Sequence, residues 1–210
     1  MSQGNSGGKG NDPRPPALAH DEGVALAEER LSGEAIYDGV LLKIHRDQVV
    51  CADGHQAIRE YTLHPGATAV MPMFDDGSLL MERQWRYPLN RSFLEFPAGK
   101  LEAGEDVLAS ARRELREETG YAASQWAYLG SMHPVISYST EIIHLLAARG
   151  LVKGTAALEA GECLTLERIG QDDFFTMVRD GSITDSKTLS FAFWLNEMAY
   201  KGWTPNWQSS

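Results

Sequence analysis

The sequence predicts an α+β fold in which a small N-terminal antiparallel β-sheet precedes a larger domain of strands and helices. Three observations carry this. Short β-type runs separated by Asp-Gly turn signals occupy much of residues 35–85. A strongly periodic helical segment then begins near residue 105 and interrupts the strands. Beyond it, strands and helices follow one another without the regular βαβ alternation of a doubly wound sheet.

Taken in order, residues 1–17 are rich in Gly, Ser, Asn and Pro, offer nothing to bury, and read as a flexible tail. Residues 18–64 read as the small β subdomain, with runs at 35–45, 48–51 and 57–63 and a turn at Ala52-Asp53-Gly54. The main domain is assigned to 65–202. It starts with a hairpin, 67–74 and 78–85, around Asp75-Asp76-Gly77, and further strands are expected at 93–96, 126–132, 142–148 and 163–169. Helices are expected at 105–119, closed by Gly120 as a left-handed cap, and at 171–180 and 185–200. Residues 203–210 read as a C-terminal tail whose Trp203 and Trp207 either cover an apolar patch or join an interface.

At 210 residues with 43% hydrophobic and 23% charged content, the chain has the composition of a protein that folds around one sizeable core. A net charge of -10 argues against a long nucleic acid as partner, because such binding needs many phosphates neutralised by Lys and Arg. A small anionic substrate remains compatible, since a cation and a few arginines invert the local field. Cys51 and Cys163 lie in apolar settings without metal or redox spacing and read as two reduced, buried thiols. No apolar signal core or membrane-length run is present, so the expected partners exclude membranes and the expected location is cytoplasmic.

The helical segment carries the chemistry. At about 100° per residue, Glu114, Glu117 and Glu118 share one face, while Leu108, Ala111 and Leu115 form an apolar stripe and Arg112 and Arg116 point elsewhere. Like charges so close, at the helix end that already carries negative dipole charge, ask for compensation. A hard divalent cation such as Mg²⁺ supplies it. Spacing alone does not decide against a solvated acidic face paired with arginines, the commoner arrangement on an arbitrary helix.

The wider pattern narrows the choice. Gly99, Glu105, Arg113, Glu114, Leu115, Glu117, Glu118 and Gly120 match G-x5-E-x7-R-E-U-x-E-E-x-G-U, with a departure only at Tyr121. This resembles the signature of Nudix hydrolases. The resemblance implies a Nudix-type α/β/α sandwich with a mixed sheet. It also implies that Glu114 and Glu118 ligate metal with Glu117 as a further ligand or neighbour, that Gly99 allows close backbone approach, and that Arg113 orients Glu105 or Glu117.

From about Tyr37 to Leu195 the chain is most similar to the ADP-ribose pyrophosphatase branch. Arg83-Gln84-Trp85-Arg86-Tyr87 and Leu94-Glu95-Phe96-Pro97-Ala98-Gly99 resemble its "RQyR" and "lE-PAG" stretches, and 181–188 resembles its "G-x-I-x-D-x-K-T" segment. This closer resemblance implies a metal-ligating carbonyl at Ala98 and substrate contacts from Arg86 and Glu95. It further implies a general base at Glu162 or Glu159, a stacking aromatic for adenine at Tyr37, and a homodimer exchanging the N-terminal sheet. Pro134 falls where the branch has a loop proline, but the glycine usual shortly after it is absent. His133 and His144 show no metal-ligand spacing and read as a loop residue and a strand side chain. The implied reaction is hydrolysis of ADP-ribose to AMP and ribose 5-phosphate with Mg²⁺, or Mn²⁺ in its place. The alternatives are another nucleoside diphosphate derivative, such as a nucleotide sugar, and a nucleotide-binding regulator without activity.

Overall fold

Turn chemistry and alternating apolar residues set the strand order in the computed structural model of the protein, which describes residues 14, 23–158 and 160–209. Its described residues form two compact units. One comprises those up to His64 together with Val135–Glu141, and the other comprises Pro65–Pro134 with those from Ile142 onward.

The first unit is a three-stranded antiparallel sheet of β1 (Glu29–Asp38), β2 (Lys43–Val50) and β3 (Gln56–Leu63). The run expected at 35–45 is two strands. Asp38-Gly39 opens a turn in which Gly39 N–H donates to Leu42 O at 2.9 Å. The apolar Val40, Leu41 and Leu42 hid that turn in the sequence, and all three side chains are exposed. Fully buried Asp47 ties the sheet together by pairing with Arg30 at 2.9 Å and accepting from the Tyr61 hydroxyl at 2.9 Å. Val135–Glu141, placed by sequence in the main domain, joins this unit. Thr62 N–H donates to Tyr138 O at 2.9 Å, and Thr140 N–H donates to Thr62 O at 3.0 Å.

The second unit contains an eight-stranded mixed sheet. Its elements are β4 (Ala67–Met73), β5 (Leu79–Arg86), β6 (Arg91–Glu95), β7 (Ala98–Lys100), α1 (Val107–Thr119), β8 (Tyr121–Met132), β9 (Ile143–Lys153), β10 (Leu164–Ile169), α2 (Gln171–Arg179), α3 (Ser186–Tyr200) and β11 (Gln208–Ser209). The strand order is β10-β5-β4-β9-β8-β11, with β6 on β5 and β7 on β4, and β4 runs parallel to β9. The expected hairpin of β4 and β5 keeps its turn but pairs only at Met73↔Leu79. β5 leaves to pair with β6 and β10, while β4 takes β7 and β9.

β4 is apolar on both pleats because helices cover both sides of the sheet. Ala69 and Met71 join Phe96, Phe174, Phe191 and Leu195 in one core. Val70 joins Ala111 and Leu115 of α1, with Trp126 and Leu146, in the other. The result is the α/β/α sandwich that the signature implies. Leu115 is fully buried, and truncating such a residue to Ala costs about 2–5 kcal/mol.

α1 starts later than expected because Asp106 is its N-cap, accepting from Leu108 N–H at 2.9 Å and Ala109 N–H at 3.1 Å. Gly120 ends it in the left-handed region, φ 73°. The residues expected as a C-terminal tail add an edge strand, with Gln208 opposite Trp126. Trp203 packs against Trp194 with centroids 5.1 Å apart, and Arg149 lies 4.2 Å from the Trp207 ring centre. Apolar area on both tryptophans explains why this segment docks. The cysteines differ from expectation, since Cys163 is exposed and Cys51 half-buried. Among the described residues, no helix is long and apolar enough to cross a membrane.

Candidate active site

Arg113 organises the acidic face of α1. Its guanidinium donates to Glu105 from Nε at 2.9 Å and from Nη2 at 3.0 Å, to Glu114 Oε1 at 2.7 Å, and to Glu117 Oε2 at 3.2 Å. It also donates to the Lys100 carbonyl at 3.1 Å, so helix and β7 are held in one frame. Sequence reasoning expected Glu105 or Glu117 as its partner. Arg113 takes both, and Glu114 as well. The Arg113 fork, helped by the Glu102 N–H, holds the Glu105 carboxyl down to about 2.

Glu118 lies deeper. Its carboxylate accepts from Ala98 N–H at 3.1 Å, and the residue is only 5% exposed. Burial pushes its pKa up, reinforced by the charges of Glu82, Glu114 and Glu162. Burial also raises Glu114, against the pull of Arg113. Gly99 leaves room rather than serving a backbone angle, since a Cβ there would stand 2.0 Å from the Glu114 carboxyl and push it aside.

Arg113, Glu114 and Glu118 line a cavity of about 510 Å³ into which Glu117, Gly99, Arg86, Gln84 and Glu162 also open. At the end of β5, Arg86 grips Glu95 with both prongs, Nε to Oε1 and Nη2 to Oε2, each 2.7 Å. Glu95, 2% exposed, is also paired with Lys187, whose ammonium lies 3.0 Å from Asp185. Arg86 also lines a second cavity of about 410 Å³, together with Glu95, Arg91, Phe93 and Lys187.

Of the residues singled out by sequence, the structure brings Ala98, Gly99, Arg113, Glu114, Glu117, Glu118, Glu162 and Arg86 around one cavity. Glu95 stands beside it through Arg86. Tyr37 belongs to the first unit, where it pairs with Ile44 in register and is 55% exposed. Glu159 lies outside the described residues. His133 is exposed, and His144 meets the Tyr128 hydroxyl at 3.1 Å, with neither lining the cavity. Sequence reasoning missed Glu82, Gln84 and Lys187. The period-2 spacing of Glu82, Gln84 and Arg86, and Lys187 inside the quoted 181–188 segment, were the available signals.

Among the described residues, no three acidic, His or Cys side chains are drawn into a ready-made ion cage. Arg113 and the Ala98 N–H hold the carboxylates in their present places. The site nevertheless suits a hard divalent cation. Its donors are carboxylate oxygens, and buried Glu82 Oε2 has no hydrogen-bond partner among the described residues.

A NUDIX domain model matches residues 62–182. The chain is 38% identical to a methanol dehydrogenase activator of Bacillus methanolicus, over 80% of this chain and 91% of that protein. It is 32% identical to an ADP-ribose pyrophosphatase of Bacillus subtilis, over 78% and 90% of the respective chains. A crystal structure of an ADP compounds hydrolase superposes with a TM-score of 0.73 at 22% identity, covering 83% of this chain and 95% of that one.

Proposed function

Because the chain belongs to the NUDIX domain family, we propose that it hydrolyses the diphosphate bond of ADP-ribose, yielding AMP and ribose 5-phosphate. The observation that carries this is the single cavity that gathers the α1 glutamates, the β7 backbone, Arg86 and Glu162. The names of relatives from Bacillus subtilis and Mycobacterium tuberculosis, both ADP-ribose pyrophosphatases, support the choice of substrate.

In this reading Glu114, Glu117, Glu118 and the Ala98 carbonyl hold Mg²⁺, with Mn²⁺ able to replace it. A divalent cation bound there supplies neutralisation of the diphosphate oxygens and activation of water. Arg113 keeps the glutamates in position, and Arg86 offers its guanidinium to phosphate oxygens. Water adds to one phosphorus, the bridging P–O bond breaks, and Glu162 takes the water's proton. Glu159 is the alternative base. Glu95 contacts the terminal ribose, and Tyr37 stacks on adenine in a homodimer built through the N-terminal sheet.

The test is chromatographic. Purified protein with Mg²⁺ is given ADP-ribose, nucleotide sugars and dinucleotide polyphosphates. AMP and ribose 5-phosphate formed fastest from ADP-ribose is the expected outcome. Faster cleavage of a nucleotide sugar would reassign the substrate. The similarity to a methanol dehydrogenase activator favours a second reading, a regulator of a partner enzyme. Absence of turnover with every compound, despite nucleotide binding, would select it.

A further inference from the structure

Strand alternation places one more carboxylate against the site. On β5, Leu79 and Met81 enter the Phe96, Phe174 and Phe191 core, so Glu82, Gln84 and Arg86 occupy the opposite pleat. Gln84 and Arg86 open into the acidic cavity. Glu82 continues the same row inward and is 1% exposed.

A buried side chain here would ordinarily be apolar, because an ionised carboxylate away from water is costly unless paired and hydrogen-bonded. Glu82 lacks such cover. Its Oε2 has no hydrogen-bond partner among the described residues. Its register partner on β6 is another acid, Glu95, and Glu118 and Glu162 also act on it or feel its charge. Lys187 and Arg86 act on Glu82 as neighbouring charges while their ion pairs go to Glu95.

We propose that Glu82 is a further residue of the cation site, its unpartnered oxygen serving as an acceptor for the bound divalent cation or its water shell. This rests on the reading that the α1 carboxylates bind such a cation. The role extends the oxygen donor set from α1 and β7 to β5. A cation would offset the negative charge that Glu82, Glu118 and Glu162 concentrate there.

The experiment needs no turnover. Mn²⁺ binding to the full chain is followed by electron paramagnetic resonance, and thermal unfolding is recorded with and without MgCl2, for wild type, Glu82→Gln and Glu82→Leu. Glu82→Gln keeps shape while removing charge, so it covers the case in which Glu82→Leu folds poorly. The expected result is Mn²⁺ affinity roughly tenfold weaker in Glu82→Gln, with a smaller Mg²⁺-induced rise in Tm and metal-free stability no lower than wild type. Wild-type Mn²⁺ affinity in Glu82→Gln would overturn the assignment while leaving the α1 site standing. Reduced metal-free stability in that variant would also overturn it, since the acid would then be structural. No Mn²⁺ binding by the wild type would overturn both readings together.

Discussion

Arg113 and Glu105 form a two-pronged ion pair, Nε to Oε1 at 2.9 Å and Nη2 to Oε2 at 3.0 Å, that fastens the loop before α1 to the middle of the helix. The same guanidinium reaches Glu114 and Glu117, so one side chain sets the spacing of the acidic face. Arg113→Lys keeps the charge but loses the fork. We expect kcat to fall roughly 10–100-fold, as for groups that orient metal ligands, with the circular dichroism spectrum unchanged. Wild-type kcat in this variant would show that the frame holds without it.

Glu117→Gln and Glu118→Gln separate metal chemistry from folding. Each should abolish most Mg²⁺-dependent turnover while the protein stays folded. Glu118→Gln should also raise Tm without metal at neutral pH, because burial disfavours the charged form of Glu118. Turnover near wild type in both variants would exclude α1 as the cation site.

Gly99→Ala tests close approach. Gly99 is not among the positive-φ glycines, so Ala suits the backbone and the fold should survive. The added methyl would meet the Glu114 carboxyl at 2.0 Å and displace it. Activity at least tenfold lower, with Tm within a few degrees of wild type, is the expected pair of readings.

The general base is decided by comparing Glu162→Gln with Glu159→Gln. Glu162 opens into the cavity and its charge acts on Glu82, Glu114 and Glu118. Its loss should lower kcat by about 10²–10⁴-fold, with the circular dichroism spectrum unchanged. The reverse ranking would move the role to Glu159.

Asp185 gives a pH dependence of stability. Burial pushes its carboxyl up, but the Lys187 charge and hydrogen bonds from Thr188 outweigh this and hold it below its ordinary 3.8. A carboxyl lowered by folding contributes stability above its unfolded value, and that contribution is lost as pH falls through the lower, folded value. Asp185 also caps α3, accepting from Thr188 N–H at 3.0 Å. Asp185→Asn should therefore lower Tm at pH 7 and flatten its decline below about pH 4. Parallel Tm curves for the two proteins between about pH 2 and 5 would contradict this.

What sequence made legible was local. Gly120 and the Leu108, Ala111 and Leu115 stripe located α1 because caps and periodicity act within a turn or two of helix. Val40, Leu41 and Leu42 misled because an apolar run resembles a strand even where Asp38-Gly39 turns the chain. The one-rung pairing of β4 with β5 could not be read from either strand alone, because β6, β7, β9 and β10 compete for their edges. The Lys187 and Glu95 pair joins residues 92 positions apart and has no local signature.

The double grip between Arg86 and Glu95 gives the site a threshold. Both donor prongs are engaged before any ligand arrives, and Glu95 keeps Lys187 as a second partner. A lone carboxylate or hydroxyl offers the guanidinium no more than Glu95 already does. In the proposed reaction, a ligand dense in negative oxygen, as a diphosphate is, would compete for it better than either. The resting pair would there select against weakly charged ligands.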